Sequence, residues 1–499
     1  MFRGPRRFSR LRAGAFSALA LLALIACRPN GSSPASRSSV TLRVGVGQVP
    51  SSQGEGLTGL AQLLTLEGLV RSGDDGRPQA QLARDWRVSE DGRAVTVNLL
   101  AGVKFHDGTP LTAPVVVDAL KSTLPVFMGP AFDDVDSVSA SNSEQIVIRL
   151  RRPSAFLIDA LEASIPKPGT TLVGTGPFIV ADAKSPTEMR ANPDYHLGRP
   201  VVDRITVQAF PSVRSAWAEL LRDRLDMLYE VGVDAQDSLE ASSQISVFNY
   251  NRRYQYVIVL NPQAEVFRSK EVRRALNIAI DRNALVREAL GGRGLASSGP
   301  VWPHNYAFPR EAGTLQSDPA AAARILSANK TGGKAAKVHF TCLVLPDAVT
   351  ERIALVVKQQ LAAVGIDMAV EEPGMNKALE TMKNRQFEAL LTTMISAPTL
   401  LRPYRIWHSG GAAGANSPTI DAALDRVRHA AAEDEYASAV AAFQQAMLDD
   451  PQAIFLAWLQ SARAVSKRFV LPAPEPGRDI MSTIRLWKPA TGDLHASRN

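Results

Sequence analysis

Phe105-His106-Asp107-Gly108 sets an imidazole beside a carboxylate, the pairing used in general acid–base catalysis. Neighbouring side chains on an Asp-Gly turn point apart, however, so the pair is predicted to be structural and not a proton relay. The seven histidines, at 106, 196, 304, 339, 408, 429 and 495, have no metal-ligand spacing and no attendant carboxylate cluster, so no resident metal is predicted. His408 alone is kept as a contact for a metal-complex ligand. Gly291-Gly292-Arg293-Gly294 lacks the lysine and hydroxyl residue of a phosphate loop, and no Gly-x-Ser-x-Gly occurs. Neither a cofactor nor an enzymatic activity is predicted.

The elements carrying these residues alternate in type. Val40-Thr41-Leu42-Arg43-Val44-Gly45-Val46 has the period of a half-buried strand, and residues 95–99 and 146–150 repeat it. Between the last two, Asp107-Gly108 turns the chain and Thr112 precedes a helix with Pro114 in its first turn, giving an α+β subdomain. Val272, Ala275, Leu276, Ala279, Leu285, Val286 and Leu290 share a face, with Arg273, Arg274 and Arg282 outside it, which predicts one helix over 270–290 ended by Gly291-Gly292. Further helices are predicted over 320–326, 351–364, 419–432 and 435–448, and a strand over 366–370. Helices alternating with strands imply α/β layers.

Arg3, Arg6, Arg7, Arg10 and Arg12 precede an apolar run over 13–26 broken only by Ser17. A cationic leader followed by a run this short is the pattern of an export signal. Leu24-Ile25-Ala26-Cys27 is similar to a lipobox, and that resemblance implies cleavage before Cys27 and a lipid on its sulfur. Residues 28–39 hold almost nothing to bury and form a flexible tether. Without the five leader arginines, 51 of the 56 basic residues face 49 acidic ones, so the isoelectric point of 9.4 does not signal nucleic-acid binding. Cys342 is the only other cysteine, leaving no intramolecular disulfide once Cys27 is acylated. No later apolar run approaches the roughly 20 residues of a membrane span.

Four segments, in order, resemble the peptide/nickel class of ABC-transporter solute-binding proteins. The first is Leu82-Ala83-Arg84-Asp85-Trp86, continuing to Gly102-Val103-Lys104-Phe105-His106-Asp107-Gly108-Thr109-Pro110-Leu111-Thr112. The second is Val173-Gly174-Thr175-Gly176-Pro177-Phe178 with Asn192-Pro193-Asp194-Tyr195. The third is Val272-Arg273-Arg274-Ala275-Leu276-Asn277, and the fourth runs from Leu361 through Gly365-Ile366 to Phe387 and on to Asp450-Pro451. The resemblance implies an α/β fold with an inserted α+β subdomain: the two-lobed periplasmic-binding-protein fold of the large peptide-binding type, with two hinge crossings. The expected parts are a lipoprotein signal peptide at 1–26, a tether at 27–39, lobe I at 40–255 with the subdomain at about 80–170, lobe II at 256–463, and a return to lobe I at 464–499. The crossings are predicted near 254–260 and 462–466.

The same resemblance implies a lipid-anchored, monomeric binding protein in the cell envelope, facing the periplasm or exterior. It would hand a peptide or other small solute to a permease with ATPase subunits, without nucleic acid as a partner. Alternatives are an oligosaccharide, opine or metal complex as cargo, or a sensing or structural role. In peptide-binding members the strand after Phe387 offers an aromatic and then an aspartate for the peptide's ammonium; Met394 and Ala397 stand there in this chain. Tyr254 at the crossing, Arg402, Tyr404, Arg405 and Trp407 are predicted ligand contacts, the arginines for carboxylate or phosphate. Gln48 and Ser51, with Ser52, offer uncharged hydrogen-bonding groups after the first strand. The segment 153–172 is shorter than its family counterpart, so it changes the cleft floor or edge.

Overall fold

The computed structural model describes residues 39–47, 56–310, 315–328, 330–331, 334–335, 338–414, 416–473 and 478–490. Its largest element is a mixed sheet of eleven strands. One half runs Ile366–Glu371, Val338–Val344 and Ala389–Ile395; the other runs Met227–Leu228, Thr41–Gly47, Arg204–Phe210, Glu188–Ala191 and Phe178–Val180. Between them lie two long neighbours, Ile245–Leu260 and Ala453–Ser466, and the short strand Gly294–Ala296 pairs with the second of these.

The two long strands serve both halves because they pair with each other along their length while their outer neighbours change. Residues 245–251 pair with 460–466, beside Met227 and Leu228. After a register slip between Asn251 and Gln255, residues 255–259 pair with 453–458 of the same neighbour, and residues 254–260 gain Ala389–Ile395 on their other edge. Such a slip locally bends a strand and re-aims its side chains. Each half has its own apolar core: Leu42, Val44, Phe178, Ile205 and Trp487 on one side, and Ile258, Phe267, Leu276, Phe340 and Ile353 on the other.

A separate four-stranded antiparallel sheet, Ala83–Val88, Ala94–Leu99, Gln145–Leu150 and Val135–Ala140, forms the inserted subdomain. The helix Ala113–Met128 packs on it, with Thr112 at its N-cap and Pro114 in the first turn, though Thr112 makes no side-chain capping bond. The membrane-span expectation needs correction here. Ala113–Asp134 forms 22 residues long and apolar enough to cross a bilayer, yet Val116, Leu120, Leu124 and Met128 are buried in the subdomain core. That core continues into Tyr404, Trp407, Leu424 and Phe443 of the second half.

The single helix expected over 270–290 is two, Lys270–Ala279 and Arg282–Leu290. Asp281 breaks it by capping the second helix, its Oδ1 accepting from Ala284 N at 2.9 Å. Arg282, placed outside the apolar face by periodicity, is buried and donates to the carbonyls of Phe455, Asn277 and Ile280. A side chain with five donors satisfies three backbone carbonyls at once there. Gly291 closes the second helix with φ of 59°, its N–H bonding Val286 O, as a left-handed cap requires.

Candidate functional site

Where the long strands change partners, two cavities of about 410 and 970 Å³ open side by side. Both are walled by Arg71, Glu162, Tyr250, Arg253, Arg478 and Asp479, so they form the two ends of one cleft. The first half supplies Leu63 from the helix Leu57–Thr65, Arg71 from the strand Val70–Ser72, and Asp479 with Met481 from the C-terminal segment. Tyr250 to Tyr254 form the floor, and Trp302, Ile395, Ala397 and Pro398 come from the second half.

Carboxylates on these walls are already committed. Glu162 accepts from Arg253 Nη1 at 2.5 Å and Ser72 Oγ at 2.9 Å. Burial alone would raise its pKa, but the Arg253 charge and these bonds hold it below the ordinary glutamate value. Asp479 accepts from Arg463 Nη2 at 2.6 Å and Nε at 3.2 Å. Arg463 is 1% exposed and lies 3.8 Å from the centre of the Tyr229 ring and 4.7 Å from that of Tyr250, a stack suited to its planar guanidinium. Glu67, at the larger end, receives Thr175 Oγ1 at 2.7 Å and Tyr195 OH at 3.1 Å, with His196 Nε2 at 3.1 Å. Asp74 lies 2.6 Å from His304 Nδ1, and its carbonyl accepts the Trp302 indole N–H at 2.8 Å.

The guanidiniums of the wall differ in their engagement. Arg253 answers Glu162, Arg252 pairs with Glu230 at 3.3 Å, and Arg478 donates to Ser72 O at 3.1 Å. Arg71 and Arg485 also line the larger cavity, and neither guanidinium bonds or pairs with a described residue. Among the described residues the wall can therefore offer unpaired cationic donors to a ligand, but no unbonded carboxylate.

Of the sequence-predicted contacts, the structure puts Tyr254 and Ala397 on the cleft wall. Ala397 packs with Trp302 and Trp458. Met394 packs against the core, and its neighbour Ile395 faces the cavity. Arg402, Tyr404, Arg405 and Trp407 share the helix Leu401–Trp407, which lies off the cleft wall. Tyr404 and Trp407 are core residues, against Phe156 and Phe455 respectively. Arg405 donates to Phe127 O at 2.9 Å, and Arg402 lies over the Phe127 ring at 4.3 Å, its pKa lowered by burial and then by the Arg405 charge. His408 neighbours Asp425 at 3.6 Å and is likewise off the wall. Gln48, Ser51 and Cys27 lie outside the described residues.

The adjacent His106 and Asp107 do point apart. His106 Nε2 meets Gly176 O at 3.0 Å, whereas Asp107 pairs with Lys167 and Thr109, which hold its carboxyl down at about 2. Among the described residues no group of three or more His, Cys, Asp or Glu is placed to hold a metal ion. The residues missed from sequence are Arg71, Glu162, Arg253, Trp302, Arg463 and Asp479. The one local signal was Asn251-Arg252-Arg253, which interrupts an otherwise uncharged strand with charge at the crossing.

A sheet in two halves, joined by two strands that cross beneath a cleft, defines an α/β protein of the periplasmic-binding type. The model for "Bacterial extracellular solute-binding proteins, family 5 Middle" matches residues 77–415, and the chain belongs to that family. It is thus an extracytoplasmic solute-binding protein of the kind that serves ABC importers. The oligopeptide-binding protein AppA of Bacillus subtilis is 27% identical over 369 residues, 66% of this chain and 67% of AppA. Its structure with a nonapeptide superposes at a TM-score of 0.73, with 22% identity over 91% of this chain and 100% of that one. NikZ of Campylobacter jejuni, in complex with Ni(L-His), gives 0.77 at 20% identity over 90% of this chain and 99% of NikZ. AgaA of A. tumefaciens R10, in complex with agropinic acid, gives 0.73 at 20% over 91% of this chain and 100% of AgaA. Other curated relatives align over 44–52% of their own length.

Proposed function

We propose that this protein captures a peptide or peptide-like small solute in the cleft and delivers it to an ABC permease driven by ATPase subunits, acting as a monomer. Lobe I comprises 40–255 and 464–499, lobe II comprises 256–463, and the lobes close on the solute about the Asn251–Gln255 slip and its neighbour strand. The observation that carries this is the position of the cleft: both halves wall it, and the crossing strands form its floor. A ligand touching both walls stabilises the closed population, and closure is what a transporter can sense. Its relatives' cargoes, a nonapeptide, Ni(L-His) and agropinic acid, set the range of solute sizes for which such a cleft is used.

The body is proposed to sit at the membrane surface, held by lipid on Cys27 and the tether at 27–39. Native mass spectrometry of protein purified from its own cells, paired with small-angle scattering, tests the capture reading. A co-purified solute whose removal increases the radius of gyration supports it. A chain that retains no small molecule and whose shape is unchanged by any compound in a metabolite panel defeats it.

A further inference from the structure

We infer that the solute is an anion bearing a carboxylate and lacking a free ammonium group, gripped by Arg71 and Arg485 at the larger end of the cleft. This inference rests on the solute-capture function proposed above and narrows its cargo. Three observations carry it. First, Glu67, Glu162 and Asp479, the carboxylates on the wall of the larger cavity, are each bound to partners on the protein. A solute ammonium entering there would have to displace a protein donor to reach an anionic partner, which is costly.

Second, Arg71 and Arg485 line that same cavity with guanidiniums that bond no described residue, and both act electrostatically on the Tyr195 phenol. Two guanidinium forks on the wall of one cavity can clamp a planar carboxylate in bidentate fashion. Third, Arg463 Nη1 is a buried donor without a hydrogen-bond partner, on a side chain only 1% exposed that lines this cavity. A buried unmet donor favours an incoming acceptor, since leaving it unpaired has a free-energy cost. At the smaller end, Ala397 brings no charge to the wall and Asp74 is bound to His304, so among the described residues no unbonded carboxylate lines that end either.

Isothermal titration of the full chain with N-acetyl-Glu-Glu, Glu-Glu with a free amine, Ala-Ala and Lys-Lys tests this. N-acetyl-Glu-Glu is expected to bind tightest, with affinity falling as salt rises. Arg71→Gln and Arg485→Gln should each weaken it by about tenfold or more, the loss of a charge-assisted hydrogen bond. Arg71→Lys recovers part of that loss, and circular dichroism verifies that each variant is folded. Ala-Ala or Lys-Lys binding as tightly as N-acetyl-Glu-Glu overturns the anion assignment while leaving solute capture intact. So does unchanged affinity in both glutamine variants. If no peptide, sugar or organic acid in a broad panel binds, solute capture itself falls, and this inference with it.

Discussion

Arg428 Nε donates to Asp134 Oδ2 at 2.6 Å across 294 positions of sequence, and both side chains are buried. Asp134 also accepts from Arg152 Nε at 2.6 Å and lies 3.3 Å from His429 Nε2. Asp134 ends the turn Gly129–Asp134 that follows the long subdomain helix, whereas Arg428 sits in the last turn of Pro418–His429. The pair therefore fastens the subdomain to the helices of the second half, through the core they share.

Arg428→Ala should lower unfolding stability by about 1.5–3 kcal/mol, because Asp134 loses its buried guanidinium partner and keeps Arg152 and His429. Burial alone would raise the Asp134 pKa, but His429, Arg428 and Arg152 outweigh it and hold it below the ordinary aspartate value. The unfolded chain then takes up the proton first, so the contribution is full above about pH 4 and fades as pH falls further. Urea melts at pH 7 and pH 3 check this: the wild-type advantage over Arg428→Ala must shrink at the lower pH.

Asp159 behaves in the opposite sense. Burial, with the Glu162 charge adding to it, pushes its carboxyl up to about 8, and Thr399 bonds it. The folded chain keeps this proton while the unfolded chain loses it near pH 4, so the group's contribution to stability declines from about pH 4 to its folded value and is flat outside that window. Asp159→Asn should flatten this decline and raise the melting temperature at pH 8 more than at pH 5. Equal shifts at both pH values would contradict the assignment.

Local periodicity made much of the fold legible. The strands expected at 40–46, 95–99 and 146–150 are Thr41–Gly47, Ala94–Leu99 and Gln145–Leu150, because alternation is a property of the segment itself. The helix break at Asp281 was missed because apolar spacing persisted through it, whereas the break is set by a side-chain cap. Leu401–Trp407 holds arginines and aromatics suited to a binding wall, but nothing local tells which neighbour covers its apolar stripe. Glu162 and Arg253 lie 91 residues apart, so only the fold brings them together.

Gly76 has φ of +80°, and a Cβ there would come within 2.8 Å of Asn305 Nδ2 and Pro398 O, both in the second half. Gly76→Ala should cost about 1–2 kcal/mol from the left-handed backbone alone. It should also pry the 73–77 turn from the 302–306 loop, where Tyr306 N bonds Asp75 O at 3.0 Å. Hydrogen exchange at Tyr306 reads this directly: faster exchange in the variant is expected, and unchanged exchange would show that the turn and loop separate independently.

Cys27→Ser should release the protein from the membrane. Expressed with its leader, wild type is expected in the detergent phase of a Triton X-114 partition and labelled by palmitate, with the variant aqueous and unlabelled. Identical partition of the two would remove the lipid anchor from the proposal.

Ala397 offers the sharpest handle on cargo, because the resemblance to peptide-binding members implies an aspartate at its position and this chain has an alanine there. It is 4% exposed and packed with Trp302 and Trp458, so Ala397→Asp buries a carboxylate against indole rings. The empty variant should lose a few kcal/mol of stability, of the order found for a buried unpaired charge. A free-amine dipeptide supplies the missing cation, so it should stabilise Ala397→Asp more than wild type, and N-acetylation should abolish that gain. Differential scanning calorimetry with Ala-Phe and N-acetyl-Ala-Phe separates the outcomes. If wild type already favours the free amine, an ammonium partner exists elsewhere on the wall and the anion assignment fails; if only the variant does, position 397 is where this chain gave up amine recognition.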